Sequence, residues 1–219
     1  MIMSISNIPN RVQILKQKFT QSIGLPFQEI LPESAIGAVI DELKIKYRCR
    51  VFDPFVTLWV FLSQVLDVDK SCHNAVSRAI GYLMGEGVEI PSKDTNAYCQ
   101  ARARLPEKLL EKLFSKAGRN LEEKVTYEHL WCGRHVKVID GSTVSMPDTL
   151  ENQEAYPQPN SQKPGCGFPI AKIGVIFSLA CGAAVALSID VLNTHDLKLA
   201  RNLYEFLNPK DILLGDRAS

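Results

Sequence analysis

Two aspartates, Asp140 and Asp216, stand directly after short runs of apolar, strand-forming residues in the second half of the sequence. The alternating run that ends at Asp140 predicts a first strand over 135–140, and the apolar run 211–215 predicts a last strand before Asp216. Between them the pattern predicts two paired strands and a helix, at 170–180, 184–192 and 195–207. The predicted order is therefore β-β-β-α-β.

This order can bring the two carboxylates to one place. A helical crossover between strands of one sheet normally makes the strands parallel. A last strand beside the first would put Asp140 and Asp216 at the same carboxyl-end edge, where α/β sheets bind ligands. Two neighbouring carboxylates repel each other, and a hard divalent cation such as Mg²⁺ takes such oxygen ligands. Two such ions about 3.5–4 Å apart suit in-line attack on a phosphodiester, because one activates the attacking water or hydroxyl and the other stabilises the leaving oxygen.

Each acidic residue also has an ordinary structural interpretation. Asp140 followed by glycine is a common turn pair, and Asp216 beside Arg217 is a common surface ion pair. Asp148 and Glu151, which are close in sequence to Asp140, are interpreted as loop-capping groups rather than metal ligands. The pair 195–196, His-Asp, is interpreted as a helix cap.

The elements that must position these residues divide the chain in two. Apolar residues recur at helical spacing in the segments 12–23, 36–47, 55–66, 72–83, 96–104 and 107–121. Nothing before residue 130 alternates with a period of two, and five prolines in 144–169 exclude a long helix there. The sequence therefore predicts an α+β protein, with a helical domain over 1–134 and an α/β domain over 135–219.

The overall composition excludes some classes of protein but does not indicate a function. The 219 residues carry 25 Lys+Arg and 24 Asp+Glu, so a strongly basic nucleic-acid binder is not visible from net charge. Six scattered cysteines without C-x-x-C spacing predict reduced, mostly buried thiols in a cytosol-like compartment. The N-terminus carries no secretory signal pattern. The uncharged run 173–189 is interpreted as two buried strands rather than a membrane span.

Basic residues offer candidate DNA contacts. Arg102 and Arg104 project from a predicted short helix, and Lys163 lies in a proline-rich loop beside the expected carboxylate edge. A solvated helix face, or ion pairs with Glu107 and Glu111, is the alternative for the two arginines. A second basic run alternates along the chain and is interpreted mainly as a solvated face: Lys44, Lys46, Arg48 and Arg50.

Several long irregular strings carry a resemblance to a known family. They are Val138–Thr149, Asn152–Pro169 and Leu213–Arg217, with Thr57–Asp67, Asp69–His73 and Ala97–Pro106 upstream. In these strings, which together span roughly residues 50–219, the chain resembles the insertion-sequence transposases of the DDE superfamily, in insertion-sequence family four. Because the strings match in order, the resemblance is specific.

The resemblance implies an RNase H-like catalytic core behind a helical DNA-end-binding domain. The family holds two Mg²⁺ ions, with Mn²⁺ as a substitute, on an Asp, a second Asp and a Glu. Asp140 and Asp216 match the two aspartates, whereas the Glu would follow residue 219. We therefore expect an incomplete core, a C-terminally truncated copy and doubtful activity of the isolated chain.

The resemblance also implies partners and a location. The expected partners are transposon terminal inverted repeats and target DNA, contacted by Arg102, Arg104, Lys163 and Arg217. A homodimer in a synaptic complex is expected, in the cytoplasm at the nucleoid and without a membrane. The function implied is Mg-dependent DNA cleavage and strand transfer in DNA transposition. The alternatives are a catalytically dead DNA-binding or regulatory fragment that interacts with full-length transposase, and an unrelated metal nuclease on the same core.

Overall fold

The structure is a computed structural model that describes residues 10, 12–14, 30–84, 92–163 and 165–216. The chain divides into two compact units, Met1–Leu113 and Phe114–Ser219, called here the first and second units. Most of the predicted helix over 12–23 lies outside the described residues, and so does Arg217.

The first unit is built from helices. They are α1 (Glu33–Glu42), α2 (Pro54–Leu66), α3 (Cys72–Met84), α4 (Asn96–Ala103) and the first part of α5 (Glu107–Glu122). No strand occurs before residue 130 among the described residues, as the absence of period-two alternation predicts.

Helix α2 is the centre of the first unit's core, as its apolar composition predicts. Its start is fixed by Asp53, whose Oδ1 accepts a hydrogen bond from the Val56 N–H at 2.8 Å. Pro54 occupies the first turn, where its missing N–H leaves no bond unmade. Trp59 is fully buried in the middle of the helix. Buried side chains from the other helices share its cluster, including Ile36, Val39, Ala75, Ile80, Leu83, Tyr98, Leu109 and Leu113.

Helix α1 ends in a turn that sends the chain into an irregular segment over 45–50. Lys44 adopts a left-handed backbone conformation with φ 53°. Its N–H donates to the Asp41 carbonyl, and the Ile45 N–H donates to the Ile40 carbonyl, each at 3.0 Å. These two bonds satisfy carbonyls that the end of a helix leaves without partners.

The second unit contains the end of α5 and all the described strands. Its remaining elements are β1 (Val136–Ser145), α6 (Leu150–Ala155), β2 (Ile170–Ser178), β3 (Ala184–Val191), α7 (Asp196–Arg201) and β4 (Ile212–Gly215). Two 3-10 helices cover Tyr127–His129 and Tyr204–Phe206. Together the two units give a mixed α/β fold.

The strands of the second unit form one mixed sheet in the order β3-β2-β1-β4. Strand β2 pairs antiparallel with both β1 and β3, and β4 pairs parallel with β1. The parallel pairing of the first and last strands, predicted from the crossover helix, is confirmed. In the described sheet β4 is therefore an outer strand.

One face of this sheet is covered by helices. Gly174 of β2 lies under α7, since a Cβ built there would stand 3.0 Å from Leu199. The end of α5 packs on β3, where Gly118 approaches Val185 in the same way. On β1, Lys137 is buried and forms an ion pair with Glu122 of α5.

Three elements differ from the sequence prediction. Strand β1 continues past Asp140 to Ser145, because β2 supplies antiparallel partners as far as the pair Ser145–Ile170. Helix α7 ends at Arg201 instead of residue 207 and is followed by a 3-10 turn. The apolar run 211–215 is typical of a buried strand, but Leu214 of β4 is 48% exposed, and β4 has only one neighbouring strand among the described residues.

The prediction of mostly buried cysteines is wrong. All six are free thiols, Cys72 is half-buried, and the others are exposed: Cys49, Cys99, Cys132, Cys166 and Cys181. Most of these positions lie outside the apolar faces of the helices and strands, which the pattern of cysteines alone could not show.

The uncharged run 173–189 forms parts of β2 and β3, as predicted. No helix in the described part of the chain is long and apolar enough to cross a membrane.

Two helical glycines should respond oppositely to alanine. Gly81 in α3 has open space where a Cβ would stand, so Gly81→Ala is expected to raise the free energy of unfolding by about 0.5–1 kcal/mol through helix propensity. At Gly118 in α5 the added Cβ would meet the Ala184 carbonyl oxygen at 2.8 Å, and Gly118→Ala should lower stability by about 1–3 kcal/mol through overpacking. Urea unfolding followed by circular dichroism measures both. Equal effects of the two substitutions would contradict the close packing of α5 on β3.

Candidate functional site

The two predicted aspartates lie next to each other in the sheet. Strands β1 and β4 run parallel with Ile139 opposite Gly215, and Asp140 and Asp216 are the next residue on each strand. Because side chains alternate along a strand, this register places both aspartates on the same face of the sheet. Both residues are exposed. Asp216 follows the last residue of its strand as predicted, whereas Asp140 lies within the longer β1 and pairs with β2 there.

Both aspartates line one open cavity of about 600 Å³, called here the carboxylate cavity. One oxygen of Asp140, Oδ1, accepts a hydrogen bond from the N–H of Gly141 at 2.8 Å. This local bond is the turn-like contact expected of an Asp-Gly pair, although the chain continues as a strand. Asp140 therefore makes the local contact of a turn-forming aspartate and still lies beside Asp216.

A third carboxylate, Asp196, lines the same cavity. It forms an ion pair with Lys172 of β2, with Nζ and Oδ1 2.7 Å apart, and Lys172 also donates to the Thr194 carbonyl at 3.0 Å. The hydrogen bond and charge of Lys172 lower the pKa of Asp196 below its ordinary value. His195 caps α7 by accepting the Leu197 N–H at its Nδ1, as predicted. The position of Asp196 at the cavity was not predicted, since its only sequence signal is an acid at a helix start.

The donor set of the carboxylate cavity fits a hard cation by its chemistry. Asp140 and Asp216 offer carboxylate oxygens, which are the ligands that Mg²⁺ and Mn²⁺ take. Within the described residues, however, no group of three or more His, Cys, Asp or Glu side chains is arranged to hold a metal ion. Asp140 and Asp216 thus form the candidate pair, with Asp196 engaged by Lys172.

Arg102, one of the predicted DNA contacts, forms hydrogen bonds and ring contacts within the first unit. Its Nη1 donates to Gln64 Oε1 at 3.2 Å and to Cys72 Sγ at 3.5 Å. Its guanidinium carbon lies 4.9 Å from the centre of the Phe61 ring and 5.7 Å from that of Tyr98. Tyr98 is fully buried, donates to Gln64 at 2.6 Å, and burial raises its pKa to about 12.

The other predicted DNA contacts lie in different places. Arg104 is exposed and lines a cavity of the first unit. Lys163 is exposed in the proline-rich loop of the second unit, and Arg217 lies outside the described residues.

Two glutamines that sequence reasoning missed organise the loop around Lys163. The Gln158 side-chain nitrogen donates to the carbonyls of Gln162 and Lys163, at 3.1 and 2.8 Å. Its Oε1 accepts the N–H of Gly165 at 3.1 Å. Gln153 in turn donates to Asp148 Oδ1, so Asp148 takes part in the hydrogen bonds of this loop. A glutamine between prolines gives no sequence signal of this role.

The fold and site together define a mixed α/β protein with paired carboxylates on adjacent parallel strands. In comparison with known proteins, the chain is 25% identical over 197 residues to the transposase InsG for insertion sequence element IS4 of Escherichia coli strain K12. The match covers 85% of this chain and 43% of that protein, so the chain spans less than half the length of the relative. This similarity supports a relationship to the IS4-family transposases. No protein-family model matches the chain, and no solved structure matches it.

Proposed function

We propose that this chain carries the DNA-binding part and the first two acidic ligands of a DNA transposase. The observation that carries the proposal is the parallel register of β1 and β4, which sets Asp140 beside Asp216. Bound divalent ions would activate a water or a 3′-hydroxyl for attack on a phosphodiester and stabilise the leaving oxygen. The two aspartates would hold such ions, and both are exposed, so a DNA strand can reach them.

The sheet supports an RNase H-like core for the region 135–219. Its strands and crossover helix follow the order β-β-β-α-β, with the short α6 inserted after β1. We propose the helical region 1–134 as the DNA-end-binding domain and 135–219 as part of the catalytic domain. The resemblance implies a Glu as the third ligand, and we propose no described residue of this chain for that role. Two carboxylates alone should therefore hold Mg²⁺ weakly.

A second candidate function is a non-catalytic DNA-binding or regulatory fragment. The ion pair of Asp196 with Lys172, which occupies the third carboxylate at the carboxylate cavity, favours this candidate. Such a fragment would pair with a full-length transposase on the terminal inverted repeats. A complete transposase would instead act as a homodimer in a synaptic complex at the nucleoid. Metal-dependent nicking of plasmid DNA by the 219-residue chain, lost in Asp140→Asn, would decide for the enzyme.

The metal-binding step of the proposal can be tested directly. Asp140→Asn and Asp216→Asn are each expected to weaken Mn²⁺ binding at least about tenfold, because even the loss of an outer-shell partner costs 10–100-fold in affinity. Titration calorimetry or Mn²⁺ paramagnetic resonance measures the affinity. Glu151→Gln removes an exposed carboxylate from α6 and serves as the matched control, with no expected change. Equal Mn²⁺ affinity in all four proteins would exclude the aspartate pair as the metal site.

A further inference from the structure

Four cationic side chains converge on a cavity in the first unit, called here the basic cavity. Its volume is about 620 Å³, and its lining includes Lys46, Arg48, Arg50 and Arg104. These cations come from two segments that are far apart in the sequence and lie close together in the structure. The first three come from the irregular segment after α1, and Arg104 comes from the end of α4.

The cations of the basic cavity have no acidic partner among the described residues. The ion pairs there use other cations of the first unit, such as Arg78 with Asp67 and Lys112 with Glu42. Asp53 is the acid at the cavity, but it is buried and its Oδ1 caps α2. Like charges held close together repel one another, so an anion that enters the cavity is bound favourably.

A buried hydroxyl in the same lining independently indicates a ligand. Thr57 of α2 is 1% exposed and lines the basic cavity. Its Oγ1 has no hydrogen-bond partner in the described structure. Buried polar atoms in native proteins almost always have a partner, so this hydroxyl is suited to donate to a ligand oxygen.

The remaining walls are apolar and aromatic. Phe52 lines the cavity and packs on the buried Tyr98, with ring centres 5.5 Å apart. Tyr47 lines it as well and makes an edge contact with Phe55. A lone inorganic phosphate would leave these walls uncovered, whereas a nucleotide strand brings sugars and bases together with its phosphates.

We propose that the basic cavity binds the phosphodiester backbone of DNA. The cations neutralise phosphates, Thr57 donates to a phosphate oxygen, and the aromatic walls contact the adjoining deoxyribose. The inference rests on the proposed transposase function and locates its DNA contact. It assigns that contact to the segment over 46–50 with Arg104, and it assigns Arg102 to hydrogen bonds and ring contacts within the first unit.

Charge-neutralising variants of the full chain test the proposal. Phosphate contacts are independent of sequence, so a short duplex of arbitrary sequence is the probe. The double variant Arg48→Gln with Arg50→Gln should bind it about tenfold or more weakly at low salt. Its slope of log affinity against log salt should fall by about 0.9 for each phosphate that the variant no longer neutralises. The control, Lys70→Gln with Lys93→Gln, removes the same charge from exposed positions of the first unit outside the cavity and should bind nearly as the wild type does.

Thr57→Val separates binding from folding. This variant should bind the duplex several-fold more weakly, while its unfolding midpoint stays the same or rises because a buried hydroxyl without a partner is removed. Equal losses in the cavity and control variants, or an unchanged affinity of Thr57→Val, would overturn this inference and leave the proposed function standing. If the wild type did not bind the duplex, both this inference and the proposed function would be overturned. If it bound the duplex but did not bind Mn²⁺ at the aspartate pair, the result would count against the proposed function alone.

Discussion

Replacing Glu122 by glutamine is expected to lower the free energy of unfolding of the second unit by about 3–5 kcal/mol. Lys137 is 1% exposed, and its ammonium is paired with the Glu122 carboxylate, which is 16% exposed. Removal of one partner leaves the other charge buried without compensation, and this is the costly way to break a buried pair. Urea unfolding followed by circular dichroism measures the change.

Two further variants show whether the uncompensated charge of Lys137 causes the expected loss of stability in Glu122→Gln. Glu123→Gln changes the neighbouring exposed carboxylate and should shift stability by less than about 0.5 kcal/mol. Lys137→Met keeps the length of the side chain but removes the buried charge, so it should cost less than Glu122→Gln. If Glu122→Gln proved no worse than Glu123→Gln, Lys137 would have to reach solvent or another partner.

Replacing Trp59 by alanine should destabilise the first unit by about 3–5 kcal/mol. The side chain is fully buried in the middle of α2, within the cluster formed by the helices of that unit. The apolar packing that the substitution removes and the cavity that it leaves both contribute to the cost, and the rigid neighbours limit collapse of the space.

The second tryptophan supplies the matched control. Trp131 is 64% exposed, so Trp131→Ala removes the same side chain from a surface position and should cost well under about 1 kcal/mol. The chain has two tryptophans, so each variant leaves one as a fluorescent probe. Comparable unfolding midpoints for the two variants would show that α2 is not the core of the first unit.

The helices of the first unit could be predicted because their signals are local. Helix α2 has a capping aspartate, a proline in the first turn and apolar residues at most positions around the helix. The contacts of Arg102 could not be predicted in this way. Its partner Gln64 is 38 positions away in sequence, and only the packing of α4 on α2 brings them together. For the same reason the basic cavity could not be foreseen, since its two groups come from distant segments.

The parallel direction of β1 and β4 followed from a topological rule, whereas their adjacency, which sets Asp140 beside Asp216, was a condition of the prediction. A strand, a crossover helix and another strand predict parallel pairing, and the structure has that pairing. The length of β1 did not follow, because it depends on how far β2 continues the ladder. Asp196 was missed at the cavity because this helix residue is held by Lys172, which lies on strand β2.

The outer position of β4 has a practical consequence for work with the purified chain. Among the described residues no strand pairs with its outer edge, and the strand is only four residues long with Leu214 half-exposed. Such an edge can template the addition of a strand from another molecule, and short length is one of the features that limit this. Association through this edge would rise with protein concentration by mass action, so dilute stocks are expected to stay monodisperse more readily than concentrated ones.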